Sequence, residues 1–236
     1  IKAEALLPTI KNLFEPIPKG PSPKHTATAE PEQRGERRFL LKRDAQVPFV
    51  MMGFRVPNYS SDDSYALNLL ETILSHGKSS RLYQSLVYDQ KNSLAVGAEY
   101  SLMQNDPGLF YFYSLVSPDA KVEAVEEALE REITRLQNEP PSETELQRAK
   151  NQVEAARVFE QDSNFRRAML LGESESIGAG WRRVDQFLEH TQTITAKDIQ
   201  RVAKQYLTQD NRTVGILVPT PAKQSESPPA AHQGKP

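Results

Sequence analysis

The chain has no cysteine, so disulfides, thiolate nucleophiles and cysteine-bound zinc are excluded from its chemistry. It also has no apolar run close to the roughly 18–20 residues that cross a bilayer, and no secretory signal opens the sequence. The net charge of −2 gives no electrostatic case for nucleic acid or an anionic membrane. We therefore predict no nucleic-acid partner and no membrane span. The lack of cysteine suits cytoplasm and periplasm equally.

Histidine is scarce as well, and this bears on metal chemistry. A zinc hydrolase brings two or three imidazoles or carboxylates to the metal, and helical zinc motifs place two histidines one turn apart. None of the four histidines has a second one within a helical turn; they are His25, His76, His190 and His232. The sequence also lacks a G-x-S-x-G elbow and a Walker phosphate loop. We therefore predict no catalytic residue and no metal site in this chain.

What is present indicates one folded body with flanking segments. Hydrophobic residues make up 38% and charged residues 25% of the 236 residues, the balance of a globular chain. Apolar side chains recur at helical spacing near the start, a Pro/Gly-rich stretch follows, and the last residues are rich in Pro, Ala, Gln and Ser. The predicted segments are 1–18 with a short helix, 19–35 as a linker, 36–219 as the folded domain and 220–236 as a disordered tail.

Within the folded domain, hydrophobic periodicity and turn chemistry predict an ordered series of strands and helices. The strands are predicted at 38–43, 48–56, 93–103, 109–116 and 213–218. The helices are predicted at about 60–76, 79–88, 118–139, 142–171, 181–188 and 195–207. This order, β-β-α-α-β-β-α-α-α-α-β, predicts an α+β fold, a two-layer sandwich in which helices pack on a mostly antiparallel sheet.

Capping residues set the predicted helix starts. A Ser or Thr oxygen accepts a hydrogen bond from the backbone N–H three residues on, and an acidic residue at that position completes the cap. The capping pairs are Ser60 with Asp63, Ser142 with Glu145, and Thr195 with Asp198. Pro118 is predicted at the first position of its helix, where a missing N–H costs nothing.

The most informative block lies between Pro57 and Gly108. It contains the segments DDSYALNLL (62–70), ILSHGKSSRLYQ (73–84), LVY (86–88) and DPGLF (106–110). In this order they resemble the C-terminal domain of the pitrilysin/insulinase family, the peptidases with the inverted zinc motif. The resemblance runs from roughly Arg37 to Val218. Residues 3–34 resemble the end of the preceding N-terminal domain and the interdomain linker.

The resemblance implies a clamshell of two related α+β halves that enclose a chamber for unfolded peptides. In the family, the N-terminal half carries H-x-x-E-H and a distant Glu, which bind zinc and activate water. The C-terminal half closes the chamber and helps to hold extended peptides. The implied cofactor is therefore zinc in the N-terminal half and none in this chain. The implied partners are that N-terminal half, an identical or sister subunit in a dimer, and peptide substrates.

The sequence departs from the family at one functional position. Many relatives offer an Arg, with a Tyr seven residues later, to the substrate near the scissile bond, where such donors stabilise an oxyanion. Here Val87 stands in place of the Arg and Leu94 in place of the Tyr. Tyr88 is adjacent but shifted by one, so that role is not transferred to it. The departure implies that a partner subunit supplies the pair if it is used.

Two residues are retained as candidate substrate contacts, Arg81 and Tyr88. For each there is a structural alternative: Arg81 could form an ion pair with Asp62 or Asp63, and Tyr88 could be a core or half-buried packing residue. The sequence by itself leaves both alternatives open.

Three functional hypotheses follow. The first is the non-zinc half of a zinc metalloendopeptidase, predicted to be inactive alone because it lacks H-x-x-E-H. The second is a non-catalytic helper subunit of a two-chain peptidase of the same family. The third is an unrelated α+β interaction module. A bacterial-type periplasmic location is favoured over a cytoplasmic one on family grounds.

Overall fold

A computed structural model of the chain describes residues 2–21, 31–104 and 107–220. It divides into two compact units, Ile1–Pro31 and Glu32–Pro236. The first contains helix α1 (Ala3–Phe14), inside the segment 1–18 where the sequence predicted a short helix. Several predictions fall outside the described residues, namely most of the linker, the tail from residue 221, and His25 and His232. The domain boundaries themselves remain a prediction.

The second unit is built on one five-stranded sheet. Its strands are β1 (Arg37–Asp44), β2 (Phe49–Val56), β3 (Ser93–Tyr100), β4 (Gly108–Val116) and β5 (Arg212–Thr220). All five lie where the sequence predicted strands. The spatial order is β1-β5-β2-β4-β3, and only the β1–β5 pair is parallel. The mostly antiparallel sheet of the predicted α+β fold is thus confirmed.

In the described part of the second unit, six helices and a π-helix at 83–89 accompany the sheet. The six helices are α2 (Asp63–Ser75), α3 (Val122–Asn138), α4 (Glu143–Gln161), α5 (Asn164–Ser176), α6 (Trp181–Thr193) and α7 (Ala196–Tyr206). Helix α7 contacts both α2 and α3, and all three helices contact strands of the sheet. The core lies between them and one face of the sheet.

Alternation of buried and accessible residues along β2 and β4 creates the sheet side of this core. In β2 every second residue is buried; these residues are Val50, Met52, Phe54 and Val56. In β4 the helix-facing positions include Phe110 and Phe112, which lie opposite Phe54 and Met52 in register. Successive side chains of a strand point to opposite faces, so the same register places Met51 and Tyr113 on the other face.

Two of the predicted capping boxes are present. In α4 the Ser142 oxygen accepts from the Glu145 N–H while the Glu145 carboxylate accepts from the Ser142 N–H. In α7, Thr195 and Asp198 make the same reciprocal pair. Both boxes satisfy N–H groups that the first helical turn leaves without partners.

The predicted cap of α2 was wrong. The Ser60 hydroxyl donates to Asn58 at 2.7 Å, and the Asp63 N–H donates to the hydroxyl oxygen of Ser61 instead. Asp63 opens the helix, but its carboxylate accepts from Arg201 and Tyr206, each at 2.7 Å. These long-range donors compete for the carboxylate that the local pattern assigned to a cap.

Two helix boundaries were also wrong. Pro118 lies in a turn closed by a hydrogen bond from the Ala120 N–H to the Ser117 oxygen, and α3 begins only at Val122. The fixed φ of proline suits this turn as well as a helix start. The helix predicted at 142–171 is interrupted, because the Ser163 oxygen accepts from the Arg166 N–H and caps a new helix. Serine in a helix competes with the backbone for such bonds. Five helices therefore separate β4 from β5, where four were predicted.

The helix predicted at 79–88 is a π-helix over Tyr83–Asp89. Its wider turns are visible in the bond from the Gln90 N–H to the Ser85 oxygen, five residues back. Leu82, just before the π-helix, and Leu86, within it, are fully buried. A segment of seven residues holds too few apolar repeats to distinguish π from α periodicity. π-Helical turns occur frequently at functional sites.

Candidate functional site

No zinc-ligand set is found in the described part of the chain. His76 is exposed at the C-terminal end of α2, and the His190 ring stacks on Tyr65 with centroids 5.1 Å apart. Across residues 2–21, 31–104 and 107–220, no three His, Asp or Glu side chains are grouped so as to hold a metal ion. The described residues therefore do not fit a zinc ion. The sequence resemblance assigns the zinc of such a peptidase to the N-terminal half.

Arg81 forms a structural ion pair with Glu145, which was not the expected partner. Its Nε and Nη2 donate to the two Glu145 oxygens at 2.8 and 3.0 Å, a bidentate arrangement. The Arg81 side chain is 9% exposed and that of Glu145 is 24% exposed. The pair joins the segment before the π-helix to the start of α4. The expected partner was Asp62 or Asp63, and Asp63 pairs with Arg201 instead.

The same contact has an electrostatic signature. The Arg81 guanidinium, followed by hydrogen bonds from Ser142, lowers the pKa of the Glu145 carboxyl to about 2. One carboxylate thus completes the capping box of α4 and holds Arg81. The remaining guanidinium nitrogen, Nη1, is buried without a hydrogen-bond partner.

Tyr88, the other candidate contact, lies on the π-helix with 66% of its surface exposed. Tyr88 is therefore accessible, whereas Arg81 is nearly buried. No described hydrogen bond joins the two residues. A substrate contact by either residue remains a prediction.

An accessible apolar surface lies on the sheet face opposite the helices. We call it the open face and define it by six residues of β2 and β4: Phe49, Met51, Leu109, Tyr111, Tyr113 and Leu115. All six are exposed or half-buried; Leu109 is 53% exposed and Met51 is 41% exposed. The rings of Phe49 and Tyr113 stack with centroids 6.4 Å apart. An apolar sheet face left accessible in this way is typical of an interaction surface.

Glycine keeps part of this face flat. A Cβ at Gly97 would lie 2.6 Å from the Tyr113 hydroxyl oxygen, so the tyrosine ring lies across the position where a side chain would stand. This face was not predicted from the sequence. The available signal was β4 itself, in which both the helix-facing and the opposite positions are apolar or aromatic. A strand with apolar side chains on both faces is typical of a sheet that is covered on both faces.

An acidic pocket borders the open face at the end of the β3–β4 hairpin. Its lining includes Glu71 of α2, Glu99 and Tyr100 of β3, and Leu109 and Tyr111 of β4. The Tyr111 hydroxyl donates to Glu99, and this bond raises the pKa of Tyr111 to about 12. Burial, and secondarily the charge of Glu99, raise the pKa of Glu71 to about 7.

The raised pKa of Glu71 predicts a specific pH dependence of stability. The pKa of Glu71 in the folded chain lies above its ordinary value of 4.5. Ionisation of Glu71 therefore costs no stability below about pH 4.5, and the free energy of unfolding declines as pH rises through 7. Glu71→Gln removes this ionisation and should raise the free energy of unfolding at pH 8 by about 1–3 kcal/mol, with little change at pH 4. Urea denaturation at both pH values measures this.

Glu127→Gln serves as the control for Glu71→Gln, because the Glu127 side chain is 71% exposed. It should leave stability unchanged at both pH values. An equal gain in the two variants would show that lower net negative charge, and not the burial of Glu71, is responsible.

The described helices also bear on a membrane location. Over the three described ranges, none combines the length and the apolar character that a bilayer crossing requires.

Comparison with known proteins identifies relatives over most of the chain. The family described as "Peptidase M16 inactive domain" matches residues 1–153. The Helicobacter pylori protein named "Zinc protease PqqE" is 26% identical over 215 residues, which cover 89% of this chain and 46% of that protein. In every curated relative that matches, the aligned part is less than half of the relative's length.

Solved structures agree with the sequence comparison. The inactive peptidase domain of a zinc protease from Bordetella parapertussis is 28% identical, with a TM-score of 0.70 over 79% of this chain and 98% of that one. A protease from Helicobacter pylori superposes with a TM-score of 0.85 at 22% identity, over 93% of this chain and 53% of that one. The second match shows the fold alone. The family match covers well over half of the residues, and the chain belongs to the peptidase M16 inactive-domain family.

Proposed function

We propose that this chain is the non-zinc-binding half of a zinc metalloendopeptidase, and that its open face lines the chamber in which extended peptides are held. The observation that carries the proposal is the accessible apolar and aromatic sheet face in a chain that spans less than half of its curated relatives. Membership of an inactive-domain family and the lack of a zinc-ligand set in the described residues support it.

The chemistry of the open face suits an unfolded peptide. Its exposed Leu and Met side chains and its aromatic rings bind apolar side chains through area, without a fixed hydrogen-bond code. Contacts of this kind tolerate many sequences. Hydrolysis itself requires a metal-bound or base-activated water, which the proposal assigns to the zinc-bearing half of the same protein.

The test separates the two halves. The 236-residue chain alone, with zinc added, should not cleave fluorescein-labelled casein. Mixing it with the separately expressed zinc-bearing half should restore cleavage that a chelator abolishes. Chelator-sensitive cleavage by this chain alone would overturn the proposal, and so would full activity of the other half without it.

A charge on the open face tests the part played by that face. In the reconstituted enzyme, Leu109→Glu should lower kcat/KM for casein by about tenfold or more, because a carboxylate replaces an apolar contact. Phe165→Glu is the control, since Phe165 is 74% exposed on α5, away from the sheet. Equal losses in the two variants would show that the open face has no special role.

A further inference from the structure

Among the residues that the structure describes, strand β1 has one edge that no other strand pairs with. It is the terminal strand of the sheet and pairs on one side only, with β5. About half of its eight residues therefore direct their N–H and C=O groups outward. A long edge of this kind accepts another strand readily unless proline, a bulge or an inward-facing charge prevents it. The sequence RRFLLKRD contains no proline.

Strand β1 is also exposed on both faces. All eight of its residues are exposed, including Phe39 (59%), Leu40 (58%) and Leu41 (43%). On the helix side, Arg38 reaches Glu126 of α3, but Leu40 lies beyond the cover of the helices. On the other side, the Phe39 ring lies across Gly215. A partner strand would cover this apolar centre as well as the edge.

The charge of β1 indicates what that partner should carry. Arg38 is neutralised by Glu36 and Glu126. Arg37, Lys42 and Arg43 are exposed, and within the described residues they form no ion pair. Asp44 is the only carboxylate on the strand. This excess of cations disfavours a second copy of β1 and favours an acidic partner, whereas three cations are too few to argue for nucleic acid.

We propose that the edge of β1 binds an extended acidic segment of another polypeptide by strand addition. Backbone hydrogen bonds to the free edge supply part of the affinity, and acidic side chains beside Arg37, Lys42 and Arg43 supply selectivity. The inference concerns a different surface from the open face and does not depend on the proposed function.

The test uses the 236-residue chain and a fluorescein-labelled eight-residue peptide of alternating Glu and Val. Fluorescence anisotropy should show binding, and the same peptide with Lys in place of Glu should bind at least about tenfold more weakly. A version N-methylated at every amide keeps its acidic side chains but loses its backbone donors, and it should also bind at least about tenfold more weakly. Equal binding of the N-methylated peptide would overturn strand addition.

Charge reversal on the protein provides the matched variant. The double substitution Lys42→Glu and Arg43→Glu changes exposed side chains only, and should weaken the Glu–Val peptide about tenfold while strengthening the Lys–Val peptide. Arg166→Glu with Arg167→Glu makes the same charge change on the exposed surface of α5 and should alter either affinity by less than about twofold. Equal losses of affinity for the Glu–Val peptide in the two double variants would show that only the net charge of the protein matters. That result would overturn β1 as the binding site.

Hydrogen exchange identifies the bound edge. Amides within β1 should gain protection when the Glu–Val peptide is added, while those of the other edge strand, β3, should not. Protection of β1 without peptide, together with a dimer in sedimentation, would show that a second copy occupies the edge and would overturn the proposal. Displacement of the peptide by an oligodeoxythymidylate of equal charge would also overturn the proposal, because an oligonucleotide cannot add a β-strand to the sheet.

Discussion

Phe112→Ala should lower the free energy of unfolding by about 3–5 kcal/mol, the usual cost of removing a large aromatic side chain from a core. Phe112 is fully buried, its ring meets Phe54 edge-on at 6.0 Å, and its centroid is 5.4 Å from that of Phe110. The alanine would leave a cavity that the sheet and α3 cannot close. Urea denaturation followed by circular dichroism measures the change.

The control for Phe112→Ala lies on the same strand. Leu109 is on the open face and 53% exposed, so Leu109→Ala should cost less than about 1 kcal/mol. The contrast tests the assignment of the two sheet faces directly. Comparable losses at the two positions would mean that the open face is covered in solution, as in a stable oligomer, and would contradict the open face as an accessible surface.

Arg81→Met should destabilise the domain by about 2–4 kcal/mol at pH 7, because it leaves the partly buried Glu145 carboxylate without its bidentate partner. Methionine preserves most of the apolar stem, so the loss comes mainly from the charge. Arg34→Met is the control: the Arg34–Glu32 pair has side chains that are 84% and 77% exposed, and removing it should change stability by less than about 0.5 kcal/mol.

The acid dependence distinguishes this ion pair from general packing. The pKa of Glu145 is lowered from 4.5 to about 2, so its contribution is complete above pH 4.5 and is lost as pH falls through 2. The difference between the parent chain and Arg81→Met should therefore shrink steadily from pH 5 towards pH 2. A difference that stays constant over this range would indicate lost packing of the arginine stem and not a lost ion pair.

The assignment of Arg81 also limits its functional interpretation. A guanidinium held in two hydrogen bonds by one carboxylate is positioned by the fold, and Arg81→Met would lower the activity of a reconstituted enzyme partly through lost stability. Tyr88 has no such constraint, because it is exposed on the π-helix and makes none of the described hydrogen bonds. Tyr88 is therefore the better residue for testing substrate contact.

Local pattern was sufficient for much of the secondary structure. The five strands were predictable because hydrophobic runs bounded by turn residues produce strands with little help from distant contacts. The capping boxes at Ser142–Glu145 and Thr195–Asp198 were predictable because both partners lie within one helical turn. Local rules failed where two of them competed, as at Pro118 and Ser163.

What the sequence by itself determined is the five strands, two capping boxes, the family resemblance and the scarcity of metal ligands, since each depends on residue types at short spacing. Only the tertiary structure decided that β5 lies between β1 and β2, that Arg81 pairs with a carboxylate 64 residues away, and that within the described residues one face and the β1 edge of the sheet stay uncovered. The physical reason is range. Periodicity and capping act over about one to two turns, whereas strand order, ion-pair partners and exposed surfaces depend on which distant segments meet.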